Sequence, residues 1–297
     1  MSTETHPLLV STGRLRRRRA VNRAMEVVAT FSAFAAVAVL TIMVASVAKR
    51  GASAIDLNLF TKNPVPFSFG NEPTGLANAF VGTMVIVGTA TAIAVPIAVL
   101  SAIYLNELAP RRVAFILGLG LDVLNGVPAI VVGIFVFALI VLHHGQSGLA
   151  GGFALSILMI PLIARATQEI LALVPETTRE ASLALGVSRW RTTLQVVLPQ
   201  TIGGIVTGTT LAVARVAGET APLLFTSSLV GDRLHVDPSQ PLASVPVKIF
   251  EYSESPNPAD HAQAWAAALV LIGFVLVASL TARALAARSR RKIGLQR

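Results

Sequence analysis

The sequence predicts an all-α integral membrane protein of six transmembrane helices, and three observations predict it. The chain is 54% hydrophobic and 13% charged over 297 residues, far more apolar than a soluble domain. Six apolar runs reach the about 20 residues that a helix needs to cross the hydrocarbon core. The 24 Lys and Arg residues against 15 Asp and Glu flank those runs instead of forming one patch, so they read as topology determinants and no nucleic-acid partner is expected.

In order, a basic N-terminal tail (1–26) precedes a first span at Val27–Ala48. A basic segment followed by an apolar run also describes a secretory signal, and Ala52-Ser53-Ala54 resembles a cleavage site. The run is too long for a typical signal core and fits an uncleaved anchor. Arg14 and Arg16 to Arg19 set topology and can also touch anionic membrane lipid. Residues 49–75, with Pro64, Pro66 and Pro73, form a loop. Residues 76–286 hold five further spans, near Leu76–Tyr104, Leu121–Leu142, Leu149–Val174, Thr201–Thr226 and Ala264–Ala286. A polar segment, 175–199, separates the fourth and fifth spans. A second long loop, 227–261, carries several prolines around a mixed stretch, Leu242–Tyr252, and a basic tail (287–297) follows the last span.

Pro96, Pro128, Pro161 and Pro222 lie within or near the ends of spans, where they free backbone groups, so irregular backbone is expected to line protein or a cavity. Gly148-x-x-x-Gly152 and Gly204-x-x-x-Gly208 let helices approach closely. Placing both termini in the cytoplasm puts 17 basic residues inside, Arg111, Arg112, Arg179, Arg189, Arg191 and Arg283 among them. Only Lys49, Arg50, Lys62, Arg233 and Lys248 remain outside. That asymmetry sets the orientation and makes the segment 175–199 cytoplasmic.

Several chemistries are excluded or not expected. The chain has no cysteine, so it has no disulfide, thiolate metal site or cysteine nucleophile. His143 and His144 are adjacent instead of four apart, so no metal site is expected there, and nothing calls for a cofactor. No G-x-x-x-x-G-K-[ST] motif occurs, so ATP hydrolysis is expected in another subunit.

The segment 175–199 reads as helix, turn, helix. Thr177 and Glu180 have capping-box spacing after Pro175, Gly186 supplies a left-handed exit, and Trp190, Leu194, Val197 and Leu198 share one face of a second helix opposite Arg189 and Arg191.

Ionisable residues inside the spans carry more information, because charge at membrane depth is costly and marks pathways. Arg165 and Glu169 are four apart, as are Arg215 and Glu219, so each pair shares a helix face. By the helical rise, Arg165 falls about 24 Å below the outer end of its span and Arg215 about 21 Å above the inner end of its own, at different depths. A guanidinium is a planar set of donors suited to oxyanions, and the carboxylate can hold it or accept a proton. The competing reading is an intrahelical ion pair, with Arg165 snorkelling to the interface. Asp122 and Asn125, before Gly126-Val127-Pro128, line the same cavity or mark the start of the third span.

These segments resemble a known family. Glu180-Ala181-Ser182, three residues, Gly186, nine residues, then Val196-Val197-Leu198-Pro199 closely resembles the E-A-A, x3, G, x9, I-x-L-P loop of ABC importer permeases, the docking segment for an ATPase subunit. Ser182 replaces the third-place Ala and Val196 the Ile. Arg215 to Thr226, R-V-A-G-E-T-A-P-L-L-F-T, looks like the R-A-x-G-E-T-A-P-L-L-F-T segment of the phosphate-specific ABC importer permeases, the second of their two permease subunits. Arg165-Ala166-Thr167-Gln168-Glu169 is similar to that family's R-x-T-x-E segment. Asp122 to Val131 is similar to its D-x-L-x-G-x-P-S-I-V segment, with Asn125 where Ala is usual and Ala129 where Ser is usual.

The resemblance implies a type I ABC importer permease bundle of the MetI-like kind in a prokaryotic inner membrane. It also implies a homologous second permease, two ABC ATPases docked on Glu180, Ala181, Ser182, Gly186, Leu198 and Pro199, and an extracytoplasmic phosphate-binding protein. The translocation path would involve Arg215, Glu219, Thr220, Arg165, Glu169, Asp122 and Asn125. A permease for sulfate, molybdate or phosphonate is the neighbouring alternative, and a non-transporting membrane scaffold or regulator the distant one.

Overall fold

In a computed structural model, residues 13–64, 74–227 and 234–294 are described, and side chains from 15 to 284 within those ranges. Pro66, Pro73, Arg233 and Arg297 therefore lie outside the described residues. The chain divides into two units, Met1–Lys49 and Arg50–Arg297. The first holds most of one long helix, α1 (Gly13–Gly51), whose apolar side chains, Phe31 and Phe34 among them, are exposed. The helix is longer than the expected span at both ends. Arginine propagates a helix well and no breaker intervenes before Gly51.

The second unit is all-helical in its described residues. After a single 3-10 turn, Ala52–Ala54, and α2 (Leu57–Thr61) come α3 (Ala77–Ile103), ending in a π turn at Tyr104–Leu108, then α4 (Arg111–Gly126) and α5 (Ala129–Val136). A second π turn, Phe137–Val141, leads into α6 (Leu142–His144). Then follow α7 (Gly148–Ala172), α8 (Glu176–Ala184), α9 (Arg189–Thr192), a third π turn at Thr193–Val197, α10 (Leu198–Val216), α11 (Ala221–Thr226), α12 (Val245–Ser253) and α13 (Pro258–Gly294). Among the described residues, five helices are long and apolar enough to cross a membrane. A sixth span exists if the pair from Arg111 to His144, bent by 96°, is counted as one.

Two of the four prolines break helices. Pro128 sits in the gap between α4 and α5, and Pro222 opens α11 after the chain leaves α10 at Val216. Pro96 and Pro161 are instead absorbed inside continuous helices. The expected third and fifth spans are thus each two helices. Proline lacks the N–H that would continue the ladder.

Small residues set the centre of the bundle. Ile86, Ala90, Ala94, Ala98 and Ala102 recur every four residues on α3 and are fully buried against Leu155, Met159 and Ile163 of α7. Lipid tails are as apolar as leucine, so helices gain by close packing more than by escape from solvent, and alanine lets backbones approach. The two helices run parallel: Gly152 faces Ile86 and Thr89 near their starts, and Leu171 meets Ile103 near their ends. Antiparallel to α7 runs α10, with Gly204 against Ile170 and Gly208 against Ala166, where an added Cβ would lie 2.8 Å from that of Ala166.

The far side of the unit is completed by α13, whose Ala282 carbonyl accepts from Thr207 Oγ1 at 3.3 Å. On one end the segment before α12 closes over α3, with Thr83 Oγ1 accepting from the Val245 N–H at 2.8 Å. On the other end sit α8 and α9. Most of the expected mixed stretch of the second loop, Leu242–Tyr252, is α12, and its Leu242, Ala243, Val245 and Val247 are buried.

Candidate functional site

Helix α8, which leads into the turn before α9, begins two residues earlier than the capping-box reading places it. Helix α8 starts at Glu176 on Pro175 as its N-cap, with no side-chain cap. A box needs an N-cap backbone N–H for the glutamate to receive, and proline has none. The exit is as expected. Gly186 has φ +79, and its N–H bonds to the Leu183 carbonyl at 2.9 Å, the left-handed ending that glycine permits.

The second helix does not keep Trp190, Leu194, Val197 and Leu198 on one face. Thr192, Thr193 and Val197 are buried, while Trp190 and Leu194 are 56% and 44% exposed. The π turn Thr193–Val197 inserts a residue and rotates the face. What clamps the two helices is the buried contact between the Ser182 and Thr192 hydroxyls at 2.9 Å. Ser182, a departure from the family loop, therefore has a partner that alanine lacks. Leu183, Leu185, Trp190 and Leu194 form the exposed apolar face of this end. Of the remaining loop residues, Glu180, Ala181 and Pro199 are exposed and Leu198 is half-buried.

Sequence reasoning missed the anchor beneath that face. Arg179 Nε donates to Glu107 Oε2 at 3.0 Å and Nη2 to Glu107 Oε1 at 2.7 Å. Nη1 donates to the Val174 carbonyl at 2.6 Å, and Nη2 also to the Leu171 carbonyl at 2.9 Å. The Glu107 carboxylate holds the guanidinium proton more tightly than usual, against the opposing effect of burial. A cavity of about 510 Å³ beside the pair is lined by Asn106, Glu176, Arg189 and Thr193 among others. The partners are 72 residues apart, beyond any periodicity. The one local signal is that Arg179 directly precedes the Glu180 motif.

Inside the bundle the structure rearranges the expected pairs. Arg165 does not pair with Glu169, whose side chain is exposed on α7. Its Nη2 meets Asp122 Oδ2 on α4 at 2.6 Å and the Gly118 carbonyl at 2.7 Å, and its Nη1 meets Gln168 Oε1 at 2.9 Å. The carboxylate it meets thus belongs to a neighbouring helix and not to the next turn of its own. The side chains are 35% and 61% exposed, so this is a partly solvated pair of modest net strength. Arg165 Nε is buried without a partner. Asn125 is exposed in the last turn of α4, three residues beyond Asp122.

Arg215 and Glu219 do not share a helix face either. Helix α10 ends at Val216, and Glu219 and Thr220 occupy the break before α11. Residues past a helix end lose the four-residue register. Arg215 is exposed in the last turn, and Glu219 and Thr220 are half-buried. Because Gly208 is level with Ala166, Arg215 lies about 10 Å farther along the α7–α10 axis than Arg165, away from the α8–α9 end. The two arginines thus lie at different levels along the bundle, and neither pairs with the carboxylate four residues on.

Residues 94–291 match the family described as the binding-protein-dependent transport system inner membrane component. Among curated relatives, the phosphate transport system permease protein PstA of Haemophilus influenzae is 42% identical over 238 residues, 79% of this chain and 82% of its own length. The protein of that name from Xylella fastidiosa is 37% identical over 280 residues, 93% and 96% of the two chains. PstA 1 of Mycobacterium tuberculosis is 41% identical over 226 residues, 73% and 72%. Among solved structures, an inward-facing MetNI methionine ABC transporter superposes with a TM-score of 0.54 at 16% identity, covering 70% of this chain and 93% of that one. At that identity the fold alone is shared, and it is the ABC permease fold. With its several apolar spans, the chain is thus a multi-pass inner-membrane permease that belongs to the binding-protein-dependent transport system inner membrane component family, the family of the PstA permeases.

Proposed function

We propose that this permease forms half of the membrane path of an ATP-driven phosphate importer. A homologous permease supplies the other half, two ATPases dock beneath the α8–α9 loops, and an external binding protein delivers the anion. Both termini and the α8–α9 end are cytoplasmic in this reading. The observation that carries it is likeness at 37% identity to a phosphate transport permease over 93% of the chain, and the arginines on packed helices supply fitting chemistry.

Arg215, without an intramolecular ion pair among the described residues, is the first anion contact. Its fork matches two phosphate oxygens and stays charged at any working pH. Glu219 and Thr220 beside it accept or donate hydrogen bonds to an anion that carries a proton near neutral pH. Arg165 is the second station, closer to the ATPases, with Asp122, Asn125 and Glu169 around it. The chain has no phosphate-cradling ATP motif, so its part in coupling is mechanical: ATP-driven closure of the ATPases moves α8 and α9, and the bundle exchanges one access for the other.

The test is reconstitution of the four-part complex in liposomes with its binding protein, measuring ATP-dependent uptake of radiolabelled phosphate. Uptake should resist competition by sulfate, molybdate and phosphonate. Effective competition by one of these, with poor competition by unlabelled phosphate, would reassign the cargo. A chain that associates with no ATPase would be a scaffold.

A further inference from the structure

We infer that Arg179 and Glu107 form the strut that carries the motion of the docking helix into α3 and α7. The inference rests on the importer reading and assigns coupling to two side chains outside the docking face and the anion path.

The geometry of a single guanidinium carries it. Four of the five N–H donors that arginine possesses are engaged: two by the Glu107 carboxylate and two by the carbonyls of Leu171 and Val174. The Leu171 carbonyl belongs to the final turn of α7 and the Val174 carbonyl to the bend just past it, where a helix end presents acceptors and carries partial negative charge. Glu107 lies in the π turn that ends α3. One side chain rooted on α8 therefore ties together the ends of the two helices that form the centre of the bundle. The side chains of Arg179 and Glu107 are only 14% and 6% exposed, so the pair is weakly screened by solvent.

A forked, two-bond pair resists sliding and rotation, which a point charge does not. Displacement of α8 at its exposed face must drag α3 and α7 with it. From this node α7 continues unbroken to Arg165, six residues before Leu171 and about 9 Å along the axis, and through Asp122 to α4. The strut thus joins the docking end to the inner anion station without a flexible link.

A simple cap on α7 would require Arg179 and the two carbonyls only. Glu107 distinguishes the alternatives. In the reconstituted complex, Glu107→Gln keeps the shape and removes the charge, and Arg179→Lys keeps the charge and removes the fork. Phosphate taken up per ATP hydrolysed should fall about tenfold in each, with ATPase subunits copurifying at the wild-type level and ATP hydrolysis retained. Combining the two changes should cost little more than either alone, because they break one contact. Glu107→Gln with wild-type stoichiometry would overturn the strut and leave a cap. Loss of assembled complex in both variants would overturn it as well, making the pair a folding element. If the wild-type complex hydrolyses ATP and moves a different oxyanion, the phosphate reading fails while the strut is measured with that oxyanion.

Discussion

Replacing Gly186 isolates backbone conformation from packing at the turn between α8 and α9. Its φ is +79, and a Cβ built there meets nothing within 4 Å. A new side chain thus clashes with no neighbour, and the whole effect comes from holding an L-residue in the left-handed region. That strain is about 1–2 kcal/mol for alanine. It is smaller for asparagine, which visits this region readily, and lies at the upper end of about 1–3 kcal/mol for the β-branched valine. A shift of about 2 kcal/mol changes a two-state population about 30-fold, so Gly186→Val should mostly empty the turn that the bonds from Gly186 N–H to Leu183 and from Val187 N–H to Ser182 close. Copurification of the ATPase with permease variants, quantified against permease in the membrane, should rank Gly186→Asn near wild type, Gly186→Ala lower and Gly186→Val lowest. Uptake should follow the same order while insertion stays normal. Asparagine performing as badly as valine would show that size matters there and that backbone sign does not. Wild-type docking and transport by valine would sink the assignment of this loop altogether.

Because the chain lacks cysteine, single cysteines report topology: on intact cells a membrane-impermeant thiol reagent should label Ser239→Cys and spare Ser188→Cys, both exposed sites, and the reverse pattern overturns the orientation. Arg215→Gln should abolish most uptake and Arg215→Lys should lose much of it through the missing fork. Uptake at the wild-type rate in Arg215→Gln and Glu219→Gln under limiting phosphate would move the path elsewhere. Gly208→Val places its Cβ 2.8 Å from that of Ala166, so α7 and α10 must separate, at about 1–3 kcal/mol of overpacking; an unchanged thermal aggregation midpoint would contradict the close approach. Asp56 caps α2 by accepting from the Leu59 N–H at 2.9 Å, which together with Asn58 lowers its pKa. Its contribution is complete above the ordinary carboxylate pKa and is lost as pH falls through the lowered value. Protection of the Leu59 amide should therefore decline in acid, and Asp56→Asn should remove that pH dependence.

The apolar runs were legible because a bilayer imposes a length on any helix that crosses it. Gly186 was legible because a left-handed turn admits few residue types. The family motifs were legible as strings of residues, and the comparisons agree with them. The limits of helices were less so. Apolarity marks where a helix lies in lipid but says nothing about where it stops, and both α1 and α13 run past their apolar cores into arginine-rich turns. Pro96 and Pro128 carry the same local restriction, yet one bends nothing into two helices and the other stands at a 96° corner, because packing against α7 holds α3 together along its alanine stripe.

Charge pairing was decided by tertiary structure. The spacing of Arg165 from Glu169 and of Arg215 from Glu219 satisfies a rule for one continuous helix. The first arginine turns instead to Asp122 across a helix boundary, and the second stands where its helix ends. Arg179 and Glu107 carry no mutual spacing signal at all. By itself the sequence determined what is settled by short-range chemistry: membrane residence, helical spans, the left-handed turn and the motif strings. Only the folded bundle decided which charges meet, because a guanidinium selects its partner by distance and burial in three dimensions, and helices 72 residues apart along the chain become neighbours only once they pack.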